Sequence, residues 1–167
     1  EIVGCDWSSD VCSSDLVRNR YNLYIGERMA EQIKISIASA HPLPMERTMV
    51  TRGRNLVTGL PEAIEVSSVE IRDAISGSIQ VIVDTVKDAI DEAPPEIVAD
   101  LIETGICLSG GGSQILGLAD RLNEELNIRV WVAEDPLTCV ARGAGYVLEN
   151  SATIDQFAVS LDRFARR

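Results

Sequence analysis

The segment Ile106–Asp120, ICLSGGGSQILGLAD, constrains this chain more than any other. Ile106, Cys107 and Leu108 read as a short buried strand, Gly110-Gly111-Gly112 as a turn, and the residues from about Ser113 as a helix. Glycine lacks a Cβ, so such a turn can take positive φ and let a ligand lie against the backbone. A helix that follows turns its free N–H groups and positive dipole end toward that ligand. Strand, glycine loop and helix N-terminus form a recurrent phosphate or nucleotide seat. Three glycines in a row also serve as a plain tight turn, and the segment alone leaves both readings open.

What surrounds this segment is an α/β pattern. Ile115, Leu118, Leu122 and Leu126 mark the buried side of the helix, and Asn127 is its C-cap. Ile128–Val132 reads as a second strand, Glu134-Asp135-Pro136 as a loop and Leu137–Leu148 as a helix. Short links between strands and helices predict parallel strands, whose ligands bind beyond the carboxyl ends. Gly110–Ser113 and Glu134–Pro136 share that edge.

Upstream, Gly26 opens a helix with Met29, Ile33 and Ile37 on its buried stripe and Glu27, Glu31 and Lys34 on another face. Spacing alone makes that face a solvated one with a Glu31–Lys34 pair. His41-Pro42 and Pro44 end the helix, leaving the only histidine in a loop with no evident partner. Glu46–Val57 is predicted as a β-hairpin turning at Gly53-Arg54-Asn55, followed by a short strand at Ala63–Val66. Ser67 and Glu70 form a capping-box signal. The long helix after them carries Ile71, Ile75, Ile79, Ile82, Val86 and Ala89 on one face, with Gly77 placed for close packing. Pro94-Pro95 ends it, and the next helix runs to Gly105. Ile154, Phe157, Leu161 and Phe164 recur at helical spacing near the end.

The first 16 residues differ in kind. They carry four acids, no basic residue and half of the cysteines, without apolar periodicity. Asp10–Leu16, DVCSSDL, resembles the translation of a common sequencing-adapter oligonucleotide, so residues 1–16 are expected to be artefactual and disordered. The net charge of −11 and the lack of a basic stripe argue against nucleic-acid binding. No apolar run reaches the ~18 residues of a membrane span. The four cysteines lack metal-ligand spacing, and Cys107 and Cys139 sit among apolar residues, which favours a reducing cytoplasm. No Ser/His/Asp arrangement or acid/base pair emerges, so no catalytic and no metal-binding residue is assigned.

Four segments carry a family resemblance: YNLYIGERMAEQIK (21–34), RGRNLVTGLP (52–61), PPEIVADLIETGICLSGGG (94–112) and VAEDPLTCVARGAG (132–145). In order and spacing they resemble the C-terminal portion of the MreB family of bacterial actin homologues, which determine rod shape. The resemblance implies an actin-like ATPase (ribonuclease H-like) α/β fold, of which this chain carries most of the second domain. Residues 17–80 would form a small α+β outer lobe, 81–150 an inner α/β lobe and 151–167 a C-terminal helix. It also implies an adenosine site made of Glu31, Gln32, Ile33 and Lys34 on the first helix and Gly110, Gly111, Gly112, Ser113 and Gln114 on the loop. Lys34 would donate, and Glu31 would accept from ribose hydroxyls. Where the family reads TGGGALL, Ser109–Leu116 reads SGGGSQIL, a more polar loop.

The implied cofactor is ATP, with Mg²⁺ in the full-length protein bound by residues outside this chain. The phosphate loops and hydrolytic residues lie upstream, so this portion alone should not hydrolyse ATP. The implied partners are further copies of the subunit and the membrane proteins of cell shape and wall synthesis, at the cytoplasmic face of the membrane. A sugar kinase or a heat-shock ATPase of the same superfamily is the alternative.

Overall fold

Apolar residues at steps of three and four fold into helices here, and alternating ones into short strands. The computed structural model describes residues 9–149. In order they form α1 (Ser9–Tyr21), β1 (Leu23–Tyr24), α2 (Glu27–Ile37), β2 (Thr48–Asn55), β3 (Pro61–Ser67) and α3 (Ser68–Asp91). There follow α4 (Pro95–Thr104), β4 (Ile106–Leu108), a 3-10 turn (Gly111–Gln114), α5 (Leu118–Leu126), β5 (Val130–Val132) and α6 (Cys139–Glu149).

Two sheets result. β1, β2 and β3 make an antiparallel sheet, with Thr48 opposite Ser67 and Arg54 opposite Pro61. β4 and β5 run parallel, with Ile106 opposite Val130 and Leu108 opposite Val132. The longest helix, α3, starts on a reciprocal cap. The Ser67 hydroxyl accepts from the Glu70 N–H at 3.3 Å, and the Ser67 N–H donates to the Glu70 carboxylate at 2.9 Å. Ile71, Ile75, Ile79 and Val83 of α3 are buried against Val17, Ile33, Ile37 and Leu122 in one apolar cluster. Leu23 of β1 and Val66 of β3 belong to the same cluster, which joins the antiparallel sheet to α5. A second tie is backbone only: the Ala40 N–H donates to the Leu116 carbonyl at 2.7 Å.

Several expectations need correction. Disorder over residues 1–16 fails from Ser9 onward, because α1 runs back through them. A helix that packs Val17 and Leu16 on the core extends upstream one hydrogen bond at a time. It buries Ser13, whose hydroxyl finds no partner, at a place that suits an apolar side chain. Gly53-Arg54-Asn55 belongs to β2 and is no turn. A Cβ on Gly53 would strike the Tyr24 carbonyl and Leu23, so this glycine admits β1 to the sheet. The hairpin turns instead at residues 56–59, where the Asn55 side chain accepts from the Val57 and Thr58 N–H groups at 2.8 and 2.9 Å. Gly77 faces open space rather than a close neighbour, Ala89 is exposed, and Val83 takes the buried place. Cys107 is exposed rather than sequestered, and Cys139 is partly covered. His41 does have a partner: its Nε2 lies 3.1 Å from a Glu124 carboxylate oxygen. The helix expected after residue 151 lies outside the described residues.

An ion pair fixes the loop after α2. Arg72 donates to a Glu46 carboxylate oxygen at 2.7 Å and to the Ser39 hydroxyl at 2.9 Å, and the Ser68 hydroxyl donates to Glu46 as well. The Arg72 and Ser68 donors hold the Glu46 carboxyl down from the ordinary 4.5 to about 2. A depressed carboxylate stabilises the fold above its ordinary range and ceases to do so as pH falls toward the depressed value. Thermal melts between roughly pH 6 and pH 3 should therefore show a smaller fall in Tm for Glu46→Gln than for the parent. Equal falls would assign the acid sensitivity elsewhere.

Candidate functional site

The glycine loop is held by its own backbone. Gly110 sits at φ 84°, ψ 173°, a conformation essentially confined to glycine. Its N–H donates to the Pro136 carbonyl at 2.6 Å, which ties the loop to the turn after β5. The Ser113 hydroxyl donates to the Gly110 carbonyl at 2.6 Å, and the Ile115 N–H to the Gly112 carbonyl at 3.2 Å. Of the three glycines only Gly110 has positive φ.

The α-helix expected from Ser113 does not start there. Gly111–Gln114 make a single 3-10 turn, and α5 begins at Leu118 after Gly117, which is left-handed at φ 72°. The Gly117 backbone lies against His41, and the first turn of α5 starts beyond it, away from the glycine loop. The dipole of α5 is therefore not what the loop offers a ligand; Cβ-free surface and nearby side chains are.

A cavity of about 590 Å³ lies beside the loop, lined by Glu31, Lys34, Ile35, Gly111, Gly112, Gln114, Ile115 and Leu137. Its size falls within the range of small-molecule sites. Two segments remote in sequence, α2 and the glycine loop, thus face one hollow. Of the residues expected there, Glu31, Lys34, Gly111, Gly112 and Gln114 line it. Gln32, Ile33, Gly110 and Ser113 are not among its lining residues. Ile33 is fully buried in the core, and Ser113 is buried with its hydroxyl turned to Gly110. Their roles are to seat the helix and shape the loop.

Sequence reasoning missed Ile35, Ile115 and Leu137. One signal for Leu137 existed, since the Glu134–Pro136 turn was already placed at the carboxyl edge of the strands. Asp135 anchors that turn to α6: its carbonyl accepts from the Cys139 N–H at 2.9 Å, and its carboxylate bonds the Thr138 hydroxyl. The lining pairs one carboxylate and one ammonium with apolar walls, a set suited to a ligand that is part polar and part flat and apolar. Among the described residues no group of His, Cys, Asp or Glu could hold a metal ion. No described helix is long and apolar enough to cross a membrane.

The family model described as MreB/Mbl protein matches residues 3–156. This chain belongs to the MreB/Mbl family. Among MreB/Mbl relatives, the cell shape-determining protein Mbl of Bacillus subtilis (strain 168) is 43% identical over 134 residues, 80% of this chain and 40% of that protein. The cell shape-determining protein MreB of Escherichia coli (strain K12) is 46% identical over 133 residues, 80% of this chain and 38% of that one. The chain thus spans about two-fifths of the length of these relatives. MreB5 of Spiroplasma citri, solved bound to ADP, superposes with a TM-score of 0.83 at 30% identity, covering 89% of this chain and 45% of that one. A MamK double helical filament superposes with a TM-score of 0.72 at 22% identity, a likeness of fold alone. The fold is actin-like, and the family is one of cell shape-determining proteins.

Proposed function

We propose that this chain is the adenosine-holding part of an ATP-binding, filament-forming subunit that directs cell shape and wall synthesis. The observation that carries the reading is the shared cavity: Glu31 and Lys34 from α2 face Gly111, Gly112 and Gln114 across one hollow. One relative of the same fold, MreB5 of Spiroplasma citri, is described bound to ADP in one structure and to AMPPNP in another. In this reading Glu31 accepts from the ribose hydroxyls, Lys34 donates, and the glycine backbone lets the nucleoside lie flat. Residues 17–80 act as the outer lobe and residues 81–150, with the parallel strands, as the inner one.

Phosphates, Mg²⁺ and hydrolysis belong to the part of the full-length protein beyond this chain. Nucleotide would favour the closed subunit that stacks on further copies at the inner face of the membrane, where shape and wall-synthesis proteins meet it. Photo-crosslinking the full-length protein with an azido-adenosine triphosphate tests the site. Label is expected within residues 31–35, 110–115 or 137, and label confined elsewhere would refute it. Pelleting with and without ATP tests the filament: a protein that stays monomeric with ATP would sink that half of the reading.

A further inference from the structure

The two walls of the cavity are joined at a place outside it. α2 carries Glu31 and Lys34, and it ends with the Ala38 N–H on the Lys34 carbonyl at 3.1 Å. The next residue, Ser39, pairs with Leu116 in an isolated parallel bridge, and the Ala40 N–H donates to the Leu116 carbonyl. Leu116 directly follows Ile115, which lines the opposite wall with Gln114. Whatever fixes residues 39–41 against Leu116 therefore fixes how far α2 stands from the glycine loop.

Arg72 of α3 reaches this junction. Its guanidinium donates to the Ser39 hydroxyl at 2.9 Å, to the His41 carbonyl at 3.2 Å and to a Glu46 carboxylate oxygen at 2.7 Å. All three partners belong to the segment that runs from α2 to β2. An exposed ion pair would hold little in place. The Arg72 side chain is only 16% exposed, however, Ser39 is fully buried, and the neighbouring Ile71 and Ile75 are fixed in the core. A covered guanidinium with several acceptors around its rigid fork leaves those acceptors little freedom. Arg72 is not among the residues that line the cavity. We propose that Arg72 is a positioning residue for the nucleotide: by pinning Ser39 and His41 it keeps the Ser39–Leu116 bridge shut, and with it the separation of the two walls. The proposal rests on the nucleotide reading above and adds a coupling between bridge and ligand. Such coupling is reciprocal: a closed bridge that favours ATP is itself favoured by ATP, by the same factor.

Hydrogen exchange and ATP titration of the full-length protein test it. The Ala40 amide reports the bridge, since its proton exchanges when the bond to Leu116 opens. In the parent, ATP is expected to slow exchange in the peptide containing Ala40 more than in β2 and β3. Arg72→Met, which keeps an apolar stem, is expected to speed that exchange without ligand and to weaken ATP about tenfold. Ser39→Ala leaves the Arg72–Glu46 pair in place and should do both to a smaller degree. Should Arg72→Met fail to fold, Ser39→Ala and the effect of ATP on the parent still decide the matter. A merely structural Arg72 would give another pattern: exchange rising equally through β2 and β3, with no selective effect of ATP at Ala40. That pattern overturns the proposal, as does an opened bridge with unchanged ATP affinity. Glu31→Gln tells which reading has failed. If it weakens ATP while Arg72→Met does not, the positioning role fails and the nucleotide site stands. If neither variant alters ATP affinity, the nucleotide reading falls, and the positioning role with it.

Discussion

Gly105→Ala is expected to cost about 3 kcal/mol of folding stability, from two sources that add. Gly105 ends α4 at φ 79°, ψ −172°, where an L side chain is strained whatever the space around it. Space is lacking as well. A Cβ would strike the Arg129 carbonyl oxygen and lie 3.2 Å from the Arg129 Cβ. That same carbonyl accepts from the Ile106 N–H at 2.8 Å, the bond that brings the start of β4 to the chain just before β5. Pushing it away loosens the parallel pair at its first rung, and the glycine loop hangs from the far end of that pair. Urea denaturation of the full-length protein measures the loss. A loss under about 1 kcal/mol would mean that the backbone relaxes around the methyl group and that this junction is less tightly specified than its geometry indicates.

The sequence made the helices and the parallel pair legible because their signals are local. Ser67 and Glu70 are three residues apart and cap one helix; Pro95 and Gly105 bracket another. Asn127 adopts the left-handed conformation expected of a C-cap, at φ 52°. What misled was glycine and exposure. Gly53 looks like a turn residue in a linear reading, yet it is needed because β1, nearly thirty positions earlier, packs on it. Gly117, just before α5, has no room for a side chain because a Cβ there would strike His41. Neither neighbour is visible from local spacing.

The candidate site divides in the same way. Periodicity marked Glu31 and Lys34 as a solvated face, and only the resemblance moved them into a site. Ile33 and Ser113 came along with that resemblance because they sit among matching residues, but the fold uses them for packing and loop geometry. Ile35 and Leu137 escaped because an exposed apolar residue carries no signal until a second one faces it across a cavity.

Gly111→Val separates what the loop's glycines do for the fold from what they do for a ligand. Gly110 is unsuitable for this purpose, since its backbone conformation penalises any side chain. Gly111 lacks positive φ, and a Cβ there meets only the Leu137 side chain, at an ordinary 3.6 Å. The Cβ itself therefore strains little, the backbone needs no change of conformation, and folding stability is expected to change by less than about 1 kcal/mol. The cavity, by contrast, loses the backbone surface on which a nucleoside would rest, because Gly111 is part of its wall. Valine's branched methyl groups would then stand in the space between the loop and Leu137. ATP affinity of the full-length protein, followed with a fluorescent analogue, is expected to fall at least about tenfold, equivalent to roughly 1.4 kcal/mol. A protein with unchanged melting and lost binding would tie the Cβ-free wall to ligand contact. Unchanged melting with unchanged affinity would mean that no ligand approaches Gly111, and that the triple glycine serves the turn alone.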